Sequence, residues 1–163
     1  MRFGNAAVAA LALAAATGTA GAQGVRMDRN VSMAMADAIM TAAMTQCIKD
    51  GYHVSVTVLD RAGQMVAFLR GDDTPPHTVD LARRKAYTAL TFRRPSAEWA
   101  QRTAEGPLAA QRSLVDVIPL GGGLPIRVGD DTIGSVGVSG APGQEKDEAC
   151  ARAGLAKVAD ELK

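Results

Sequence analysis

Aromatic residues are scarce in this chain. It has one Trp, two Tyr and three Phe among 163 residues, so small and aliphatic side chains must fill its core in place of aromatic bulk. Histidine is scarcer still, with only His53 and His77. That argues against a multi-histidine metal site within one subunit. The two cysteines, Cys47 and Cys150, form no CxxC and no zinc spacing. The formal net charge is +1, which argues against a nucleic-acid binder working by bulk positive charge. No P-loop, GxGxxG, GxSxG or HExxH occurs, and Gly121-Gly122-Gly123 is not followed by the Gly-Lys-Ser/Thr of a phosphate loop. After residue 23 no run is apolar and long enough to span a bilayer, so no stable membrane insertion is expected.

The chain opens with a leader pattern. Arg2 supplies a positive start, Ala6 to Ala16 an apolar run, and Ala20-Gly21-Ala22 a small-x-small cleavage site. Residues 1–22 are therefore expected to be a signal peptide and 23–163 a single domain, exported to the periplasm or secreted. Such a compartment permits disulfides. A Cys47–Cys150 bridge requires the first and last helices to be neighbours, which two cysteines without a motif do not establish.

Periodicity outlines the rest. Val31 to Asp50 reads as a helix capped by Asn30 or Ser32 and ended by Gly51. Val31, Met35, Ala38, Ile39 and Ala42 share one of its faces; Met33, Met40, Met44 and Cys47 share the other. Two apolar stripes predict cover on both sides, by the sheet and by either a partner subunit or a ligand. His53–Leu59 and Gln64–Arg70 alternate as strands around the turn Asp60-Arg61-Ala62-Gly63. A Pro75-Pro76 loop leads into a helix over His77–Phe92, with Val79, Ala82, Ala86 and Leu90 as its buried stripe. A short helix follows from Ser96 to Arg102. Leu114–Ile118, Ile126–Val128 and Thr132–Ser139 read as three strands of a meander, and Glu145–Leu162 as a final helix. Gly134 and Gly137, inside the last strand, mark a close approach of backbone or ligand. Hairpin, helices, meander and helix in that order predict an α+β fold with an antiparallel sheet.

His77 is the most informative residue. Behind two prolines and at a helix start, it can ligate iron, bind an anion or move a proton, or serve only as an N-terminal helix residue. In the run Arg83-Arg84-Lys85, Arg83 borders the buried stripe and suits a carboxylate. Arg84 and Thr88 point away, and the run as a whole reads as a solvated face. Gly121, Gly122 and Gly123 admit a flat ligand against the backbone or form a flexible connection.

Three stretches together, VTVLDRAGQMVAFLR with the RRKAYTALTF helix, GGGLPIRVGDDTIGSVGVSG, and DEACARAGL, resemble the GlcG/HbpS family, also known as the DUF336 domain. The resemblance covers Val31 to Lys163. It implies a profilin-like fold with a five-stranded antiparallel sheet flanked by helices, homo-oligomers, and haem binding in some members. Exported members are linked to haem degradation or redox sensing; others sit near glycolate or corrinoid metabolism. Haem ligation by threonine or histidine in the family points to Thr78 or His77 here. With no covalent attachment motif, the haem would be noncovalent. Met40 and Met44 would line an apolar slot, His77 would ligate the metal, Arg83 would meet a propionate, and Gly121–Gly123 would form the rim. The expected function is therefore an exported homo-oligomeric protein that binds haem or a similar planar, carboxylate-bearing small molecule. The alternative is an enzyme or accessory factor acting on a small organic acid at a subunit interface.

Overall fold

The computed structural model describes residues 24–163. The expected leader lies outside the described residues. Helix α1, Met33–Lys49, begins where the Ser32 hydroxyl accepts the Met35 N–H at 3.1 Å. It ends at Asp50-Gly51, with Gly51 at φ 80°. Strands β1, Ser55–Asp60, and β2, Met65–Arg70, form the expected hairpin. In its turn the Asp60 carboxylate accepts the N–H groups of Ala62 and Gln64. Helix α2, Thr78–Phe92, precedes the short helix α3, Ser96–Arg102. A 3-10 segment, Gly106–Ser113, leads through a loop to β3, Gly123–Val128, and β4, Asp131–Ser139. Helix α4, Gln144–Lys157, and a last 3-10 turn, Ala159–Leu162, close the chain.

The sheet is antiparallel in the order β2-β1-β4-β3. Four strands stand among the described residues where five were expected. The missing one is Leu114–Ile118. Asp116 takes φ 67°, and Leu114 and Val115 are exposed. Side chains of α2 take the polar groups that a neighbouring strand would have paired. Arg84 donates to the Val117 carbonyl at 2.7 Å, and the Ile118 N–H donates to Thr88 Oγ1 at 2.9 Å. Only Val117 is buried there, so the apolar run reflects one anchor rather than a strand.

Strand register sorts the side chains into two faces. Val56 pairs with Val138 and Val58 with Val136, facing α1 and α4. Ser55 pairs with Ser139, Thr57 with Gly137 and Leu59 with Ser135, facing α2. The two-striped reading of α1 is corrected. Its one buried stripe is Ala36, Ile39, Met40, Ala43, Met44 and Cys47, while Met33 is exposed. Met40 and Met44 fill this chain's own core because α4 lies alongside. Cys47 and Cys150 are bridged there, with Cα atoms 5.6 Å apart.

Candidate functional site

The loop between β2 and α2 is held at many points. The Gly71 N–H donates to the Val54 carbonyl, and Arg70 donates to the Thr74 carbonyl. His53 Nδ1 donates to the Asp72 carbonyl at 2.9 Å. Buried Thr74 reaches the Val54 carbonyl from beneath. A side chain at Gly71 would start 3.6 Å from Met44 Sδ, so Met44 supports this loop from the core. Pro75-Pro76 then sets the entry to α2. His77 stands exposed at that entry, with no side-chain hydrogen bond among the described residues. Thr78, the next residue, is fully buried. Its hydroxyl donates to the Pro75 carbonyl at 2.7 Å and accepts from Ser55 at 2.9 Å. Those bonds commit the Thr78 hydroxyl, which corrects its expected role as a ligand.

One to two turns along α2, Arg83 is already paired. It meets Asp116 at 2.6 Å and Asp80 at 3.1 Å. Hydrogen bonding to Asp116 raises the guanidinium pKa further, against the opposing effect of desolvation. Asp116 carries the exposed Leu114 and Val115 beside it in the chain. Arg84 and Thr88, expected to face solvent, instead hold this loop, and Thr88 is fully buried.

Lys85, read as part of a solvated run, lies deepest of all. It forms a 2.7 Å ion pair with Asp147, both side chains only 4% exposed. Lys85 also donates to the Val138 carbonyl at 3.1 Å, and Asp147 accepts the Ala141 N–H at 2.9 Å. Burial pushes the Asp147 carboxyl above the usual carboxylate range, opposed by the attraction and hydrogen bond of Lys85. A signal for Lys85 was present in the sequence. Ala82, Lys85, Ala86 and Ala89 follow the i, i+3, i+4, i+7 spacing of one helix face.

The glycine loop belongs to this buried pair and forms no open rim. All three glycines are buried. A Cβ at Gly122 would sit 2.7 Å from the Val138 carbonyl and 2.8 Å from Asp147 Cβ; one at Gly123 would sit 2.0 Å from the Lys85 carbonyl. Protein fills the space left for a ligand. The expected site residues thus separate into His77 and Arg83 on the outside of α2, Met40 and Met44 in the core, and Gly121–Gly123 between α2 and α4. Among the described residues no group of three or more His, Cys, Asp or Glu could hold a bare metal ion, and no helix is long and apolar enough to cross a membrane.

Comparison with known proteins agrees with the resemblance. A family model described as "Haem degrading protein HbpS-like" matches residues 31–156. Protein GlcG of Escherichia coli K12 is 33% identical over 109 residues, 67% of this chain and 81% of that protein. The crystal structure of a Streptomyces reticuli HbpS double mutant is 35% identical with TM-score 0.79, covering 91% of this chain and 97% of that one. The PduOC:heme complex shares the fold at 23% identity and TM-score 0.73, over 78% of this chain and 94% of its own. With an α+β antiparallel sheet, a model match over most of its length and a GlcG relative above 30% identity, the chain belongs to the HbpS-like, or GlcG/HbpS, family.

Proposed function

We propose that this protein is exported, assembles as a homo-oligomer and binds haem, or a similar planar carboxylate-bearing molecule, noncovalently through His77. The observation that carries the reading is the exposed imidazole, held on a fixed loop without a hydrogen-bond partner among the described residues. A porphyrin brings four nitrogen ligands of its own, so one axial imidazole is enough. A bare metal ion would need the cluster of side chains that is missing among the described residues. The family's description names haem degradation, and PduOC, which shares the fold, was solved with heme.

The residues fit such a group, with a narrower set than first expected. Leu114 and Val115 offer exposed apolar surface beside Asp116. Arg83 would receive a propionate by exchanging it for Asp116 or Asp80, which hold the guanidinium now. Met40 and Met44 support the loop and the core instead of touching the ligand. Bound haem would supply an iron able to change oxidation state; His77 would offer it an imidazole nitrogen, Arg83 a propionate partner, and Leu114 and Val115 apolar contact.

Titrating purified protein with hemin tests this. A saturable Soret band that weakens about tenfold or more in His77→Ala supports the reading; no spectral change on adding hemin to wild type overturns it. The family's description also favours turnover of the bound group. Protein-dependent loss of the Soret band with ascorbate and oxygen, abolished in His77→Ala, would support that second reading.

A further inference from the structure

The two edges of the sheet are protected to different degrees. β3 closes one side, carries Pro125, and has α3, α4 and the last 3-10 turn packed against it. A proline and covering elements keep an edge strand from pairing with another chain. β2 closes the other side. It contains no proline, and its only charge is the terminal Arg70. Among the described residues it pairs with β1 alone.

The backbone of β2 is arranged to pair again. The Gly71 N–H donates to the Val54 carbonyl, so Leu69 and Ala67, two and four residues earlier, also turn their backbone groups toward β1. Phe68 and Arg70 turn theirs outward. The side chains beside them are apolar and exposed on both faces. Phe68 lies opposite Thr57 on the α2 side, where α2 covers β1, β4 and β3 and leaves β2 bare. Leu69 lies opposite Val56 on the α1 side, and Met65 is exposed at the start of the strand.

Helix α1 is placed to match. It packs about equally on β1 and β2, so it runs over the gap between them. Neighbouring strands lie about 4.8 Å apart. A second β2 added across a two-fold axis would therefore set the two α1 helices about 10 Å apart, the spacing of packed helices. Apolar residues already stand on that side of α1. Met44 lies beside Gly71 at the end of β2. Ile48 follows Met44 by one turn, Met33 precedes Met40 by two, and both are exposed.

We propose that two copies of this chain pair through β2, antiparallel about a two-fold axis at Phe68, and join their four-stranded sheets into one continuous sheet. Phe68 is the outward-turned residue nearest the middle of the strand. An axis at Arg70 would instead set two arginines side by side. The Phe68 backbones exchange hydrogen bonds with each other, and Arg70 comes opposite Val66 of the second copy. The α1 helices pack antiparallel, with Met33 of one copy toward Ile48 of the other. This assignment rests on the homo-oligomer reading above and names its surface.

Light scattering on size-exclusion fractions of the purified protein, from about 1 to 100 μM, reads the assembly. We expect pairing in the wild type. Phe68→Lys sets two charges face to face at the axis and should raise the dissociation constant of the pair about a hundredfold or more. Phe68 is exposed in the single chain, so this variant should keep the wild-type circular dichroism spectrum. Phe68→Cys tests the register without that charge. Cys47 and Cys150 are bridged, so residue 68 supplies the one free thiol. The two Cα atoms would lie about 5.5 Å apart, within reach of a disulfide. Mild oxidation should then give a covalent dimer, formed about tenfold faster than with Leu69→Cys, whose two copies lie displaced along the strands. A wild type that stays monomeric throughout overturns both this pairing and the homo-oligomer reading. An oligomer that folded Phe68→Lys leaves intact, or in which Phe68→Cys cross-links no faster than Leu69→Cys, overturns this pairing alone. Hemin binding through His77 is read separately by the Soret band.

Discussion

On one face of the sheet, Val56, Val58, Val136 and Val138 pack against α1 and α4. On the other, Ser55, Thr57, Gly137 and Ser139 lie beneath α2. The first face is held by aliphatic side chains, with Ile39, Met40 and Met44 above it and the Cys47–Cys150 bridge tying the two helices together. Side chains of this kind shift a little when volume changes. The second face works by proximity of backbones. A Cβ at Gly137 would sit 2.1 Å from the Ala82 carbonyl, and one at Gly123 would sit 2.0 Å from the Lys85 carbonyl. Backbone atoms cannot step aside. The valine face therefore stores stability, while the glycine face fixes where α2 lies. Since α2 carries His77 at one end and Arg93 at the other, the glycine face sets the position of both.

The contrast can be broken most strongly at Gly137. Gly137→Ala should cost at least about 4 kcal/mol, or prevent cooperative folding, because the added methyl meets backbone on α2. Urea unfolding followed by circular dichroism reads this, and a loss below about 1 kcal/mol would mean that α2 is not seated so tightly. Next comes the buried pair. Asp147→Asn leaves the Lys85 charge uncompensated and should cost about 3–5 kcal/mol, while Lys85→Met with Asp147→Leu should recover most of that loss. If the double variant is no better than the single one, the pair is needed for more than charge balance.

On the valine face, replacing both cysteines by Ala should cost about 2–5 kcal/mol. The bridge spans 103 residues of sequence, so the loss should appear as a lower urea midpoint with hemin affinity unchanged. The smallest effect sharpens the comparison from the polar side. Thr57 Oγ1 is buried beneath α2 without a partner among the described residues. Thr57→Val should therefore leave stability within about 1 kcal/mol of wild type or raise it. A larger loss would show that this hydroxyl is satisfied in solution.

The elements were largely legible from the sequence. The β1–β2 hairpin follows from alternation around Asp60–Gly63, and α2 begins where Pro75-Pro76 ends the preceding extended chain. Gly137 was read correctly as a close-approach position, but nothing local said whether backbone or ligand approached. Leu114–Ile118 was misread because its alternation resembles a strand, whereas side chains of α2 take its hydrogen bonds. Lys85 and Thr88 were misread for a related reason. Charge and hydroxyl groups on a helix suggest water until another segment is known to cover them. Of the candidate site, His77 stands exposed where its position after the prolines suggested. Arg83 and Arg84 are equally half-buried, and the partner that holds Arg83, Asp116, is thirty-three residues away.

By itself the sequence determined the order of elements, the α+β class and the family resemblance, because these follow from local periodicity, turn residues and short motifs. The tertiary structure alone decided which face each residue joins. It turned Met40 and Met44 of α1 inward by placing α4 beside them, buried Lys85 opposite Asp147 and closed the glycine loop against α2. The physical reason is the same in each case. Desolvation and charge pairing depend on what lies across space, and residues far apart in the chain supply it.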